Sequence, residues 1–190
     1  MEKILLIGGG GHAKSVIDVI EQEGKFEIAG IIEKFAGESK PILGYELIGT
    51  DDDLPALRKH YKYAIVTVGQ IESAKLRIKL YTRLKELGFT LPAIISPLAY
   101  VSKHATLGEG TVVMHHALIN AQAKVGNNCI INSKALIEHD AVVEDHCHIS
   151  TGAILNGGVS LKAESFVGSG VVSKQGAQLC GFIKAGSVAK

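Results

Sequence analysis

Apolar residues in the first half of the chain follow two alternating rhythms. Residues 4–7, Ile-Leu-Leu-Ile, form an unbroken apolar run that stops at Gly8, the pattern of a strand covered on both faces. Val16, Ile17, Val19 and Ile20 then recur at helical spacing over residues 13–23, and Gly24 ends that helix. The same reading predicts a second strand over 28–32, a helix over 54–61 entered through Asp51-Asp52-Asp53, a third strand over 64–68, and a helix over 74–87 closed by Gly88. Strands alternating with helices imply a parallel sheet, here of three strands.

From Ile95 the period becomes six. Aliphatic residues stand at every sixth place from Ile95 through Ile119, Ile137 and Leu155 to Val167, thirteen hexads in succession. Four places after each comes a short residue, such as Ala117, Cys129, Ala135, Ala141, Cys147 or Ala153, so both columns must face a narrow, layered interior. A six-residue unit is a short strand plus a turn, and such units are stable only when stacked into a solenoid. Ser173 then occupies an aliphatic slot and the period resumes at Ala177 and Ile183, so residues 173–176 read as a loop extruded from the solenoid. The change of period divides the chain into a Rossmann-like βαβαβα domain over 1–92 and a parallel β-helix over 93–190.

Composition narrows the function. Twenty basic against nineteen acidic residues give a net charge of +1, which does not provide the basic surface expected of a nucleic-acid partner. Glycine, at 22 of 190 residues, exceeds the usual ~7%. Cys129, Cys147 and Cys180 have no C-x-x-C spacing, so neither a disulfide framework nor a zinc ribbon is indicated. The opening Met1-Glu2-Lys3 lacks the flanks of a signal peptide, and no apolar run approaches the ~18 residues of a membrane span. A cytoplasmic protein without membrane insertion is expected.

Two regions carry candidate chemistry. The turn Gly8-Gly9-Gly10-Gly11-His12-Ala13-Lys14-Ser15 joins a strand to a helix, where exposed N–H groups and the helix dipole favour an anion. Read as a P-loop it fails at Ala13; read as G-x-G-x-x-[GA] it fits, with Glu33 ending the second strand where a ribose-binding acid would stand. Three strands make only one mononucleotide-binding half. Of the six histidines in the repeat, none falls on an inward slot, so all can occupy corners or outer faces. His139 stands out because Glu138 precedes it and Asp140 follows, and an adjacent carboxylate orients an imidazole and stabilises its protonated form, as a general base requires. No two histidines stand five apart and Cys147 falls on the inward slot, so no metal is expected.

The segment Asn132-Ser-Lys-Ala-Leu-Ile-Glu-His139-Asp140, continued by His148-Ile-Ser-Thr-Gly-Ala-Ile-Leu-Asn-Gly157, resembles the active-site region of sugar acetyltransferases of the sialic acid O-acetyltransferase (NeuD) type, within the hexapeptide-repeat acyltransferases. The N-terminal Ile-Gly-Gly-Gly-Gly-His-Ala-Lys-Ser-Val-Ile-Asp matches too, so the resemblance covers nearly the whole chain. It implies a left-handed parallel β-helix, acetyl-CoA as cosubstrate, and a homotrimer with active sites between subunits. It further implies that His139 is the base supported by Asp140, that the Gly157 N–H holds the thioester carbonyl, and that His148, Ser169 and Asn132 lie against acetyl-CoA or the reacting groups. The chain stops at Val188-Ala189-Lys190 where the family carries a further coil, leaving Lys184 and Lys174 as the nearest cations for the CoA phosphates.

The N-terminal domain then resembles a sugar-substrate domain, with Gly10, Gly11, His12, Glu33 and Lys34 as its binding residues. Where the nucleotide-sugar enzymes of the family carry two successive acids, this chain has Glu33-Lys34-Phe35, and a lysine meets a carboxylate or phosphate. The expected activity is therefore O-acetylation of sialic acid or a related acidic sugar, free or nucleotide-linked. The alternatives are N-acetylation of a nucleotide-linked 4-amino-4,6-dideoxy sugar, and a non-catalytic sugar-binding or scaffold protein.

Overall fold

A computed structural model describes residues 1–34 and 40–190; Phe35 lies outside the described residues. The chain divides into two compact units, residues 1–69 with 75–92, and residues 70–74 with 93–190. The 92/93 break falls where the period changes. Residues 70–74, assigned by the sequence to the first domain, belong to the second unit.

In the first unit, β1 (Glu2–Ile7), β2 (Phe26–Ile32), β3 (Leu47–Gly49) and β4 (Tyr63–Val66) form a parallel sheet in the order β3-β2-β1-β4. Helix α1 (Gly11–Glu23) buries Val16, Ile17, Val19 and Ile20, and Gly24 closes it in the left-handed conformation, its N–H bonding Ile20 O at 3.0 Å. Helices α2 (Leu54–Leu57) and α3 (Lys75–Glu86) complete the unit. Three differences from expectation have local causes. The sheet has four strands, not three, because β3 is a three-residue, half-buried edge strand, too short to show a period. Helix α2 stops at Leu57 because the N–H groups of Lys59 and His60 bond the third carbonyl back, tightening the chain out of the α-helix. The acidic run before it forms a 3-10 turn whose Asp53 accepts the Thr50 N–H at 2.8 Å.

In the second unit, seventeen two-residue strands among the described residues, from β5 (Ile94–Ile95) to β21 (Val188–Ala189), stack into three parallel sheets of six, six and five strands. Partners lie one coil apart, as in Ile130↔His148, Leu136↔Ile154 and Lys124↔Val142. This is the left-handed parallel β-helix. Its interior is the paired aliphatic and short columns, with Ile119, Ile137, Leu155, Ala123, Ala141 and Cys147 fully buried. Contact with Cys129 and then burial push the Cys147 thiol far up, so it stays protonated as part of the core.

The solenoid does not extrude residues 173–176. Ser173 is 3% exposed and sits in the aliphatic slot as part of Val172–Ser173, and the next strand, Gln178–Leu179, follows at the regular interval. The irregularity comes after Leu179: pairing offsets fall from Ser160↔Gln178 to Phe166↔Phe182, so the corner at Cys180 and Gly181 is two residues short. A serine in an apolar slot imitates a break in frame.

Candidate active site

Each coil passes three corners, and at most of them a polar residue following the aliphatic slot opens the turn. At the corner after Leu136–Ile137, Glu138 accepts the Asn120 Nδ2–H at 2.7 Å and the His139 backbone N–H at 3.0 Å. These two bonds, the His139 amide first, hold its carboxyl below the usual range, so it stays ionised next to His139. Asp140 has φ 60°, a left-handed corner conformation that Asp tolerates better than most residues. Its Oδ2 takes the Nδ1–H of His139 at 2.8 Å. That bond is the largest influence and raises the His139 pKa; desolvation opposes it, and the negative charges of Asp140 and then Glu138 add to the rise. Because Nδ1 is engaged, Nε2 is the nitrogen available to accept a proton.

One coil further on, Gly157 lies directly against that ring. A Cβ built there would stand 2.8 Å from His139 Nε2 and Cε1, so only glycine leaves the imidazole in place. The Gly157 N–H has no acceptor among the described residues, although the residue is buried. Beside Asp140 a shallow groove of ≈ 260 Å³ opens toward His104, Gln122 and Lys124.

The remaining candidates fall elsewhere on the coil. Asn132, Ser150, Ser169 and Lys184 occupy the preceding corner, on the other side of the face carrying Leu136–Ile137 and Ile154–Leu155. Ser169 is exposed and its Oγ lies 2.9 Å from Ser150 Oγ; Lys184 is exposed. His148 differs from the expectation of an open outer face. It is only 6% exposed, its Nδ1–H bonds Gln70 O at 2.5 Å, and its Nε2 accepts from Asn132 Nδ2 at 3.1 Å. Both nitrogens are thus held within the subunit, and Phe166 stacks edge-on against the ring. The sequence missed Gln70, whose Nε2 also donates to His146 O at 3.0 Å, because its partners lie more than seventy residues away.

In the first unit, Gly8 (φ 112°) and Gly9 are required by the fold, since side chains there would strike Val68, or Ile42 and Glu33. Gly10 and Gly11 are not: a Cβ at either meets nothing, and φ at Gly10 is −74°. The α1 N-terminus they form has no side-chain cap. Glu33 accepts the Gly9 N–H at 2.5 Å and so ties the turn to the end of β2. His12 is half-buried in the first turn of α1. Lys34 faces a cavity of ≈ 730 Å³ with Asp51, Lys79 and Arg83, which the glycine turn does not line.

Among the described residues, no group of three His, Cys, Asp or Glu side chains is placed to hold a metal, and no helix is long and apolar enough to cross a membrane.

The PglD N-terminal domain family matches residues 3–84. No curated protein matches the chain. Among solved structures, the chain is similar over its whole length to perosamine N-acetyltransferase from Caulobacter crescentus, crystallised as a histidine-to-asparagine variant with CoA and GDP-perosamine: 33% identity, 89% of that chain covered, TM-score 0.93. It is also similar to the acetyltransferase domain of PglB from Neisseria gonorrhoeae, at 29% identity over 100% of this chain and 92% of that one, TM-score 0.88. WeeI from Acinetobacter baumannii, at 18% identity over 100% of this chain and 97% of that one, TM-score 0.71, shares the fold.

Proposed function

We propose, on the premise that the chain belongs to the sugar acetyltransferases of the hexapeptide-repeat superfamily, that it transfers the acetyl group of acetyl-CoA to the amino group of a nucleotide-linked 4-amino sugar. The observation that carries the chemistry is the pairing of His139, its Nδ1 fixed on Asp140, with a Gly157 N–H beside the same ring that has no acceptor among the described residues. The acceptor amine attacks the thioester carbonyl while His139 Nε2 takes its proton. The carbonyl oxygen, now an oxyanion, is held by the Gly157 N–H. Collapse breaks the C–S bond, His139 returns the proton to the CoA thiolate, and an amide and free CoA result.

Support for an amino sugar over sialic acid comes from the 33% identity to an enzyme bound to GDP-perosamine. In this reading the anion that Lys34 favours is a sugar-linked diphosphate rather than a sialic acid carboxylate. The glycine turn supports it as well, because Gly10 and Gly11 leave α1 open to close approach without being needed by the fold.

The proposal includes a homotrimer. Within one subunit, His139, Asp140 and Gly157 stand at one corner of the coil, and Asn132, Ser169 and Lys184 at another. The face between them carries an apolar outer column of Tyr100, Leu118, Leu136, Ile154, Val172 and Val188. Bringing one copy's apolar face against a neighbour would join the two corners into one site.

Thiol release from acetyl-CoA tests the reading, with GDP- and UDP-linked 4-amino sugars set against N-acetylneuraminic acid and its CMP-linked form. Release with an amino sugar is expected, and His139→Ala should lower turnover by roughly 10² to 10⁴ at unchanged thermal stability. Release with the sialic acids alone, or wild-type turnover in His139→Ala, would overturn it.

A further inference from the structure

Ser173 sits in the inward aliphatic slot one coil beyond Leu155, and it breaks the ladder there. In the two preceding coils of this column the ladder is regular: Asn120 N–H donates to Ile137 O and Glu138 N–H to Leu155 O, both at 2.9 Å. Asn156 N–H goes instead to the Ser173 hydroxyl at 2.8 Å, and the freed Ser173 carbonyl takes the Asn156 Nδ2–H at 2.6 Å. The strand pairing registers the change, since these two strands pair only at Ile154↔Val172, where the other strands of the column pair at two places.

The displacement alters what Asn156 can do for the next amide. At three other turns the residue in this place folds back on the following N–H: Asn120 Oδ1 accepts from Ala121 at 2.7 Å, Asn132 Oδ1 from Ser133 at 2.8 Å, and Glu138 Oε2 from His139 at 3.0 Å. Asn120 and Asn132 do so while their Nδ2 groups reach side chains of the next coil; Asn156 instead turns its Nδ2 onto the Ser173 backbone carbonyl, and the Gly157 N–H has no acceptor among the described residues.

We propose that Ser173 is a positioning residue: by holding the Asn156 side chain it keeps the Gly157 N–H free to bind the developing oxyanion. This rests on the catalytic reading above. A regular turn at Asn156 would fill the donor before the thioester arrived, and emptying it during reaction would add a hydrogen bond's breakage to the barrier.

Ser173→Val tests it, because valine suits the slot that Val143 and Val167 fill in other columns; Ser173→Ala, which only removes the hydroxyl, is the second variant. Three kinetic results are expected: kcat falls by roughly 10² to 10³, as for loss of an oxyanion donor, KM for acetyl-CoA changes by less than about threefold, and Ser173→Thr restores kcat. The double variant Ser173→Val, Asn156→Ala should turn over about as fast as Asn156→Ala alone, since no side chain remains to cap the amide. A merely structural serine would give additive losses instead. The amide proton of Gly157, followed by NMR in the protein without substrates, should move downfield on Ser173→Val as it gains an acceptor. Wild-type kcat in Ser173→Val, a double variant no better than Ser173→Val, or an unmoved Gly157 amide would each overturn the proposal. The amide readout does not depend on which acetyl acceptor the protein uses. Loss of turnover in His139→Ala with full turnover in Ser173→Val would remove this inference and leave the base assignment standing.

Discussion

At the scale of single residues, the site depends on a corner that places Asp140 beside the ring of its own neighbour. The left-handed backbone at Asp140 allows a 2.8 Å bond between adjacent side chains, which an extended strand would point to opposite sides. That bond is the largest cause of the raised His139 pKa, and its sign fixes a prediction. A general base works only when neutral, so kcat/KM should fall on the acid side with a midpoint above the ordinary histidine value of about 6.5. Asp140→Asn removes the negative charge that stabilises the imidazolium, and the midpoint should move to lower pH while the plateau rate drops. Glu138→Gln should move it the same way by less, because Glu138 is a smaller cause. The check is a pH profile of kcat/KM for the three proteins; an acid limb common to all would show that His139 is not the titrating base.

At the scale of the element, the hexad is a turn as much as a strand. From residue 110 to 176, left-handed residues recur three places after the aliphatic slot, among them Gln122, Lys134, Asp140, Glu164, Gly152 and Gly170. Gly152 separates backbone cost from crowding, since its φ is 65° and a Cβ there would meet nothing within 4 Å. Gly152→Val should therefore destabilise the solenoid by about 1–2 kcal/mol, while Gly152→Asn, a residue that enters this conformation more readily, should cost less. Denaturant titration of both checks it; equal losses would point to a cause other than the backbone. These corners also show what the sequence made legible. The aliphatic and short columns repeat by residue type, so the solenoid and the place where it begins could be read directly. The left-handed place could not, because Gln, Lys, Asp, His, Glu, Asn and Gly all fill it. His139, Asp140 and Gly157 were legible through resemblance, whereas the cover of Gln70 over His148 and the Ser173 to Asn156 exchange depend on contacts that no local pattern announces.

At the scale of the whole molecule, the apolar outer column sets the strongest demand. Tyr100, Val172 and Val188 are 59%, 39% and 63% exposed, and Leu118, Leu136 and Ile154 join them into one stripe along a single face. The next face carries Thr106, Lys124, Val142, Ser160 and Gln178 in the equivalent places, so it offers no comparable stripe. Contiguous exposed apolar surface of this kind is the mark of an interface, and closed rotational symmetry would seat the same face on each neighbour. Ile154→Glu should yield monomers by light scattering, with the side chain outside the core and folding retained. Those monomers should also lose turnover, since the corner of His139 would have no neighbour's corner to face. Mixed subunits give the sharper test. His139→Ala lacks the base, and Ser169→Trp fills the opposite corner, so neither homotrimer should turn over. Co-refolded together they should regain activity, because some sites would then combine an intact His139 corner from one subunit with an intact Ser169 corner from the next. A site contained within one chain predicts no recovery at any mixing ratio, and that result would return the catalytic corner to a single subunit.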